Sequence, residues 1–324
     1  MSADGMTTSG SRGLKIVEDW RELDPADTGV AVALGNFDGV HLGHRQVIAD
    51  AARAARALGV KLGVITFEPH PRRWFQPDAP PFRLMTSGQQ AEALAALGVD
   101  VLYRLPFDTT LAGMTDSVFA TEVLSQGLKA RHVSAGFDIT FGKGRTGSPD
   151  RLKQLGTELG FEVSIADPIT GAAGEKCSST AIRNAIEAGQ PDEAARLLGR
   201  PFTIEGVVVH GEKIGRTIGF PTANIQFGDF VLPADGIYAA RTRLPDGRKI
   251  PSVAYVGSRP TVNGIDKRLE VNLFDFDEDL YGQTLEVELT AFLRGDQKFD
   301  GLDAMKAQIA LDCGRARKIL MPDW

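Results

Sequence analysis

The chain has 324 residues, of which 43% are hydrophobic and 24% are charged, and its formal net charge is −6. This length exceeds one ordinary domain and predicts a globular protein of two domains. The acidic balance argues against a nucleic-acid partner, which requires clustered Lys and Arg, and no window approaches the roughly 18 apolar residues of a membrane helix. Two cysteines, Cys177 and Cys313, predict free thiols in a reducing cytoplasm.

Residues 1–13 are rich in Gly, Ser and Thr, which predicts a disordered N-terminal segment. They lack the apolar stretch of a secretory signal. Short apolar runs then alternate with helical patterns as far as residue 198. The predicted strands are 30–34, 60–67, 101–105, 132–135 and 161–165, and the predicted helices are 45–58, 89–97, 116–126 and 151–159. Such alternation predicts βαβ units and a parallel sheet, whose ligands lie beyond the carboxyl ends of the strands.

The pattern changes after Gly199-Arg200-Pro201, where proline discourages continuation of a helix. Strand-like segments follow at 202–210, 236–244, 252–256, 268–274 and 284–292, with turns between them, and residues 302–320 have helical spacing of apolar side chains. This half predicts an antiparallel barrel or sandwich closed by a helix. The predicted domains are therefore an α/β domain over 14–199 and an all-β domain over 200–324.

The first candidate site is Gly35-Asn36-Phe37-Asp38-Gly39-Val40-His41-Leu42-Gly43-His44, between the first predicted strand and helix. His41 and His44 are three residues apart at the start of a helix and would lie on one face. Helix N–H groups add partial positive charge there, so the segment predicts an anion cradle. A zinc site is the alternative, although no third ligand stands nearby in sequence.

Three further segments accompany this cluster in the N-terminal half. Thr66-Phe67-Glu68-Pro69-His70-Pro71 ends a strand in a rigid turn, and residues 136–145 form a Gly-rich loop with two cations. Ser178-Ser179-Thr180-Ala181-Ile182-Arg183 starts a helix, where Ser and Thr are commonly N-caps and Arg183 can bind phosphate oxygens. The His-x-Gly-His segment resembles the nucleotidyltransferase superfamily. In order and spacing, all four segments resemble the FMN adenylyltransferase module of prokaryotic bifunctional FAD synthetases.

The second candidate site is Gly215-Arg216-Thr217-Ile218-Gly219-Phe220-Pro221-Thr222-Ala223-Asn224. Its glycines let the backbone approach a polyphosphate, and the hydroxyl of Thr222 and the amide carbonyl of Asn224 are hard ligands suited to Mg²⁺. This string resembles the signature of riboflavin kinases. Residues 268–276 resemble the segment that supplies the general base in that family, which implies that Glu270 is the base.

The resemblance implies a role for each residue that matches a family motif. For the adenylyltransferase it assigns ATP and phosphate binding to Gly35, Asn36, Phe37, Asp38, Gly43, Ser179, Thr180 and Arg183, catalysis to His41 and His44, and flavin binding to Phe67, His70, Pro71, Asp138 and Phe141. For the kinase it assigns ATP binding to Gly215, Arg216, Gly219 and Pro221, metal binding to Thr222 and Asn224, and flavin binding to Arg294 and Phe299. The chain departs from the family at Ile139 and Thr140, where an aromatic and a basic residue are common.

These expectations amount to a Rossmann-like nucleotidyltransferase domain followed by a riboflavin-kinase barrel with a C-terminal helix. The implied function is the synthesis of FMN from riboflavin and ATP, and then of FAD from FMN and ATP, with Mg²⁺ as the metal cofactor. Two alternatives stay open at this point: a riboflavin kinase with an inactive N-terminal domain, and a regulator that only binds flavin or nucleotide. The sequence does not indicate an oligomeric state.

Overall fold

The computed structural model describes residues 13–170, 176–211, 215, 218–261 and 264–321. The chain divides into two compact units. The first comprises Met1–Asp78 and Gln89–Pro168, and the second comprises Ala79–Gly88 and Ile169–Trp324. No helix among the described residues is both long enough and apolar enough to cross a membrane.

The first unit is built on a six-stranded parallel sheet with the order β1-β4-β3-β2-β5-β6. Its strands are β1 (Lys15–Val17), β2 (Ala31–Leu34), β3 (Leu62–Glu68), β4 (Val101–Pro106), β5 (His132–Gly136) and β6 (Glu162–Ala166). Its helices are α1 (Leu42–Leu58), α2 (Pro71–Phe75), α3 (Ser87–Ala96), α4 (Thr109–Gly113), α5 (Asp116–Val118), which continues as a π-helical Phe119–Gly127, and α6 (Pro149–Leu159).

The order of these strands places the first candidate site. The four residues of β2 are all buried, as expected for a strand of a parallel sheet that is covered on both faces. From β2 the chain runs outward through β3 and β4, then returns to β5 on the other side of β2. Such a reversal is where open α/β sheets bind ligands. The segments that follow β2 and β5, 35–41 and 137–147, both begin there.

The second unit contains a closed barrel with the order β10-β11-β8-β7-β12-β9, in which every pairing is antiparallel. Its strands are β7 (Phe202–Val209), β8 (Ala223–Gln226), β9 (Gly236–Arg243), β10 (Lys249–Thr261), β11 (Gly264–Leu273) and β12 (Thr284–Gly295). Its helices are α7 (Ser179–Glu187), α8 (Pro191–Leu198) and α9 (Leu302–Leu320). Closure of the barrel removes the exposed strand edges that would otherwise invite aggregation.

The barrel has an apolar interior and one outer face covered by α9. Interior side chains such as Ile204, Leu269 and Val287 are completely buried. Outside, Ala316 and Leu320 of α9 pack on a small cluster that includes Ala239, Val253 and Phe274. The Arg317 guanidinium donates to both carboxylate oxygens of Asp275, at 2.8 and 3.0 Å. The helix is therefore tied to the barrel by apolar packing and by ion pairs.

The predicted fold class is confirmed, with some differences in detail. The sequence analysis missed β8, because a four-residue strand preceded by Gly and Pro carries little alternation, and it missed β1 and α8. The units of the structure divide the chain before α7, because α8 contacts β7 and β12. The boundary at 199/200 stays a prediction about which fragment folds alone.

We expect residues 200–324 to fold alone, because the closed barrel and α9 form a core without help from α8. A fragment of residues 191–324 should be more stable by up to roughly 3–6 kcal/mol, because Leu197 and Leu198 are 2% and 1% exposed and each buried leucine contributes about 1.5–3 kcal/mol. Chemical denaturation of both fragments, followed by circular dichroism, measures the difference. The absence of a cooperative transition for 200–324 would show that the boundary is wrong.

Candidate active sites

The kinase-like site is one row of side chains across the outer face of the barrel. Residues paired directly across neighbouring antiparallel strands project from the same face, with Cβ atoms about 4.5–5.5 Å apart. The strand register places in succession Val209, Asn224, Glu270, Tyr255, Ile237 and Arg294. Five of these six line one cavity of about 640 Å³. The register thus converts residues from five strands into a continuous site.

Thr222 and Glu270 form the polar end of this cavity. Thr222 precedes Asn224 by two residues and lines the same cavity, and its Oγ1 donates a hydrogen bond to Glu270 Oε2 at 3.3 Å. Asn272 Nδ2 donates to the carbonyl of Pro221 at 2.7 Å, which fixes the start of this segment against β11. The predicted metal ligands and the predicted base are therefore adjacent.

Close backbone packing explains the glycine at position 215. A Cβ there would lie 2.4 Å from the carbonyl oxygen of Phe220 and 3.3 Å from Thr222 Oγ1. Any side chain at this position would therefore displace Phe220 and Thr222. Gly219 has a φ of +89°, which suits glycine. The fourth residue predicted to bind ATP here, Arg216, lies outside the described residues.

A second cavity of about 540 Å³ shares Thr222 with the first. It is lined by Pro221, Ala223 and the segment 276–281 that follows β11. Thr222 is thus the point where two cavities meet, an arrangement suited to two substrates that react with each other.

At the opposite end of the row, a buried carboxylate holds Arg294. Asp312 is 2% exposed on α9, and its Oδ2 accepts from Arg294 Nε at 2.9 Å and Nη2 at 2.8 Å. Gln308 Nε2 donates to Oδ1 at 2.9 Å. The guanidinium carbon lies 5.7 Å from the centre of the Phe299 ring. Both residues predicted to bind flavin, Arg294 and Phe299, therefore lie together at this end of the row.

Sequence analysis missed Asp312 and Tyr255. Asp312 stands within the apolar spacing Met305, Ile309, Ala316, Leu320, and a single carboxylate in such a stripe was the available signal. Burial, together with the charges of Asp296, Asp235 and Glu270, raises the pKa of Tyr255. The phenol is protonated at neutral pH even without this shift, and it lies beside Glu270 in the row.

The adenylyltransferase-like site begins with a strained turn after β2. Phe37 and Val40 have φ angles of 50° and 42°, a left-handed conformation that is uncommon without glycine and an outlier for β-branched valine. The side chains of Phe37, Asp38 and Val40 are nonetheless almost fully buried. Such strain costs on the order of 1–3 kcal/mol for each residue and is typical of ligand-binding segments.

The turn places two histidines face to face. His41 is the N-cap of α1, and its Nδ1 accepts a hydrogen bond from the His44 backbone N–H at 3.2 Å. The two imidazole centroids are 3.5 Å apart with planes inclined by 19°, and the Phe37 ring meets His44 edge-on at 5.1 Å. An Nδ1 that accepts a hydrogen bond leaves the proton of the neutral His41 ring on Nε2. His41 is thus oriented to donate from Nε2.

A cavity of about 490 Å³ opens beside this turn. It is lined by Gly35 and Asn36 and by four of the five predicted flavin-binding residues, namely Phe67, His70, Pro71 and Phe141, but not by Asp138. Phe75 and Phe107, which the sequence analysis missed, add aromatic surface, with ring centres 5.8 Å apart. The cavity therefore offers several aromatic faces to a planar ligand.

The loop residues that depart from the family pattern also line this cavity. Ile139 presents an apolar side chain, and Thr140 Oγ1 accepts a hydrogen bond from Arg145 Nε at 3.0 Å. The Arg145 guanidinium is therefore held beside Thr140.

The third predicted phosphate-binding element is the start of α7, which belongs to the second compact unit. Ser178 is its N-cap and accepts from the backbone N–H of Ala181 at 3.1 Å. Ser179 and Thr180 therefore form the first turn of the helix. Arg183 Nε donates to the carbonyl of Phe82 at 2.6 Å, which fixes the direction of its guanidinium.

The described residues contain no cluster of side chains that is typical of a protein-held metal ion. Within the part of the chain that the structure describes, no three His, Cys, Asp or Glu side chains are grouped so that they could hold a metal ion. The third ligand that a zinc site at His41 and His44 requires is not found there. Thr222 and Asn224 supply neutral oxygens of the kind that suits a hydrated Mg²⁺ carried by a nucleotide.

A parallel α/β unit with a His-x-Gly-His turn and a closed barrel with a Thr-x-Asn segment define a class of two-domain flavin transferases. A family model described as FAD synthetase matches residues 23–181, and one described as riboflavin kinase matches residues 198–320. The chain belongs to the family of bifunctional riboflavin kinase/FMN adenylyltransferases. It is a transferase of flavin cofactor synthesis, and the resemblance seen in the sequence is confirmed.

Individual relatives agree over nearly the whole chain. The bifunctional riboflavin kinase/FMN adenylyltransferase of Pseudomonas fluorescens is 40% identical over 95% of this chain and 99% of the relative. The enzyme of that name from Escherichia coli K12 is 38% identical over 94% and 97%. A crystal structure from Streptococcus pneumoniae, described as a macrolide-efflux protein, has a TM-score of 0.85 and 34% identity over 96% of this chain and 99% of that one. The relatives decide the assignment, because the identity extends over nearly their whole length and includes both halves of the chain.

Two carboxylates that each bind an arginine allow a comparison of buried and exposed ion pairs. Asp312→Asn should lower the free energy of unfolding by about 3 kcal/mol, because it leaves the Arg294 charge without its buried partner. Asp275→Asn should have little effect, because the Asp275 side chain is 74% exposed. Urea denaturation of both variants measures the difference. Equal destabilisation by the two changes would contradict this interpretation.

Proposed function

We propose that the barrel site transfers the γ-phosphate of ATP to the 5′-hydroxyl of riboflavin, and that the first candidate site joins the FMN product to AMP. The observation that carries the first assignment is the pairing of Asn224 with Glu270 across β8 and β11. This pairing sets a carboxylate beside two metal-type ligands at the junction of two cavities. Such an array suits phosphoryl transfer to a hydroxyl group.

In the kinase step, ATP occupies the second cavity, which is lined by Pro221, Ala223 and residues 276–281. Its phosphates point toward Thr222 and Asn224. Thr222 and Asn224 would hold Mg²⁺, which would supply neutralisation of the phosphate charge. Thr222 Oγ1 has one proton and two lone pairs, so it can donate to Glu270 and still offer an oxygen to the metal. Glu270 accepts the proton of the riboflavin 5′-hydroxyl as that oxygen bonds to the γ-phosphorus and ADP leaves.

The flavin ring lies toward the Arg294 end of the same row. Ile237 and Phe299 offer apolar surface, and Arg294 presents its guanidinium plane, since Asp312 holds its Nε and Nη2. Tyr255 stands between this end and Glu270 in the row, and its protonated phenol can donate a hydrogen bond. The row therefore orders the ligand from ring to hydroxyl to phosphate.

In the adenylyl transfer step, an FMN phosphate oxygen attacks the α-phosphorus of ATP, and pyrophosphate leaves. The nucleophile is already an anion, so no side chain has to remove a proton. His41 Nε2–H and the backbone N–H groups at the start of α1 stabilise charge on the transferring phosphate. The flavin ring occupies the aromatic cavity beside Phe67, Phe75 and Phe107.

The partners in this proposal are small molecules: ATP, riboflavin and FMN. We place both reactions in the cytoplasm, which the two free thiols of Cys177 and Cys313 support. The net charge of −6 supports the absence of a nucleic-acid partner.

The double change His41→Ala with His44→Ala tests whether the two sites are separate. We expect FAD formation from FMN to be lost, because the phosphate donors are removed, whereas riboflavin phosphorylation stays near normal. Chromatographic separation of FMN and FAD after reaction with Mg-ATP measures both steps in one sample. FAD formation at the wild-type rate would show that the assignment of His41 and His44 is wrong.

Glu270→Gln tests the proposed base. The amide keeps the shape but cannot take a proton at neutral pH, so FMN formation under single-turnover conditions should fall by roughly 10²–10⁴-fold. Riboflavin should still bind, which fluorescence titration checks. An unaltered single-turnover rate would show that Glu270 is not the base but an ordinary solvated carboxylate on a strand.

Asn224→Asp tests the proposed metal ligand separately from the base, because it alters the neighbouring residue of the same row and leaves Glu270 intact. The added charge should shift the Mg²⁺ dependence of the kinase step more than the affinity for riboflavin. Adenylyl transfer with supplied FMN should not respond to either change. An unchanged Mg²⁺ titration would remove Asn224 from the proposed metal ligands.

A further inference from the structure

Gln90 is a buried amide within the apolar face of α3. Its side chain is 4% exposed, and the other buried residue of this helix, Leu94, lies one turn further along. Burial of an amide is unfavourable unless its polar atoms form hydrogen bonds. Gln90 Nε2 donates to the carbonyl of Asn36 at 2.9 Å and to that of Phe37 at 3.2 Å. Both acceptors belong to the strained turn that follows β2.

These two bonds fix the direction of two successive peptide groups. In a trans peptide the carbonyl and the N–H point to opposite sides of the chain. Because the carbonyls of Asn36 and Phe37 point toward Gln90, the N–H groups of Phe37 and Asp38 point away from it. Consecutive N–H groups at a left-handed residue form the kind of concavity that binds phosphate oxygens, and Phe37 has a φ of 50°.

The same anchor extends to the histidines. The Phe37 ring is 1% exposed and meets His44 edge-on at a centroid distance of 5.1 Å. His44 is stacked on His41 and donates its backbone N–H to His41 Nδ1. A shift of the Phe37 backbone would therefore displace both imidazoles.

We propose that Gln90 is a positioning residue for adenylyl transfer: its Nε2 holds the turn so that the N–H groups of Phe37 and Asp38 face the ATP phosphates and the His41–His44 pair keeps its place. This role rests on the proposed assignment of the ATP site to the turn. It requires a donor at position 90. An acceptor or an apolar side chain of equal length does not fulfil it.

The test compares three variants of the full-length protein. Gln90→Met keeps the length and apolar packing but removes the donor, and Gln90→Lys keeps donors for both carbonyls. Gln154→Met is the matched control, because Gln154 Nε2 donates to Glu158 Oε1 at 2.8 Å on the exposed face of α6. For each variant, kcat and KM for ATP and for FMN are measured in adenylyl transfer. Urea denaturation of the same sample, followed by circular dichroism, reports on the folding of the first unit, and riboflavin phosphorylation reports on the second.

We expect Gln90→Met to lower kcat/KM for ATP in adenylyl transfer by about 10- to 100-fold, the loss typical of misplaced groups. The KM for FMN and the kinase rate should not change. Gln90→Lys should recover most of the loss, and Gln154→Met should match the wild type. If Gln90→Met is insoluble, Gln90→Leu, which also lacks a donor, takes its place with the same expectation.

Two results would overturn the proposal. One is normal adenylyl transfer by Gln90→Met. The other is an equal loss in Gln90→Met and Gln90→Lys, which would assign Gln90 to packing alone. If the His41 and His44 double variant retains FAD formation, the proposed ATP site itself is wrong. If that double variant is inactive and Gln90→Met is normal, only the role of Gln90 fails.

Discussion

The pairing register of β8 with β11 is the constraint on which the kinase site depends. Side chains alternate between the two faces of a strand, so a slip of one residue would turn Glu270 into the barrel and Leu269 and Val271 out of it. Both of these apolar residues are completely buried. Exposing each would cost roughly 1.5–3 kcal/mol, more than the ~1 kcal/mol of a single side-chain hydrogen bond such as that between Thr222 and Glu270. The apolar core of the barrel, rather than the polar contacts of the site, therefore holds the proposed catalytic residues in register.

The turn after β2 is held in its conformation by different interactions. It belongs to a loop, so no ladder of strand hydrogen bonds fixes it, and two of its residues adopt left-handed backbone conformations. Burial of the Phe37 and Val40 side chains and the two hydrogen bonds from Gln90 compensate for this strain. The position of the histidines consequently depends on α3, which lies almost 50 residues further along the sequence.

The sequence predicted the parts of both sites that are local. The His-x-Gly-His and Thr-x-Asn segments carry their chemistry within ten residues, and the strand around Glu270 shows clear alternation. Tyr255, Asp312 and Gln90 were not predicted, because each acts through a partner on another element. Their roles require the register of β10 with β11, the docking of α9 on the barrel, and the packing of α3 beneath the turn. Motif spacing contains none of this information, whereas a polar residue inside an apolar stripe, as at Asp312, at least marks where to look.

The difference between the two sites follows from their nucleophiles. The 5′-hydroxyl of riboflavin keeps its proton at neutral pH, so the barrel site needs a carboxylate within reach of that proton as well as ligands for the metal that accompanies ATP. The phosphate of FMN is already ionised, and a carboxylate beside it would repel the attacking group. Hydrogen-bond donors such as the proposed His41 Nε2–H are suited to that reaction instead. One site that served both steps would have to offer a negative charge to the first substrate and withhold it from the second, so two separate sites follow from the chemistry itself.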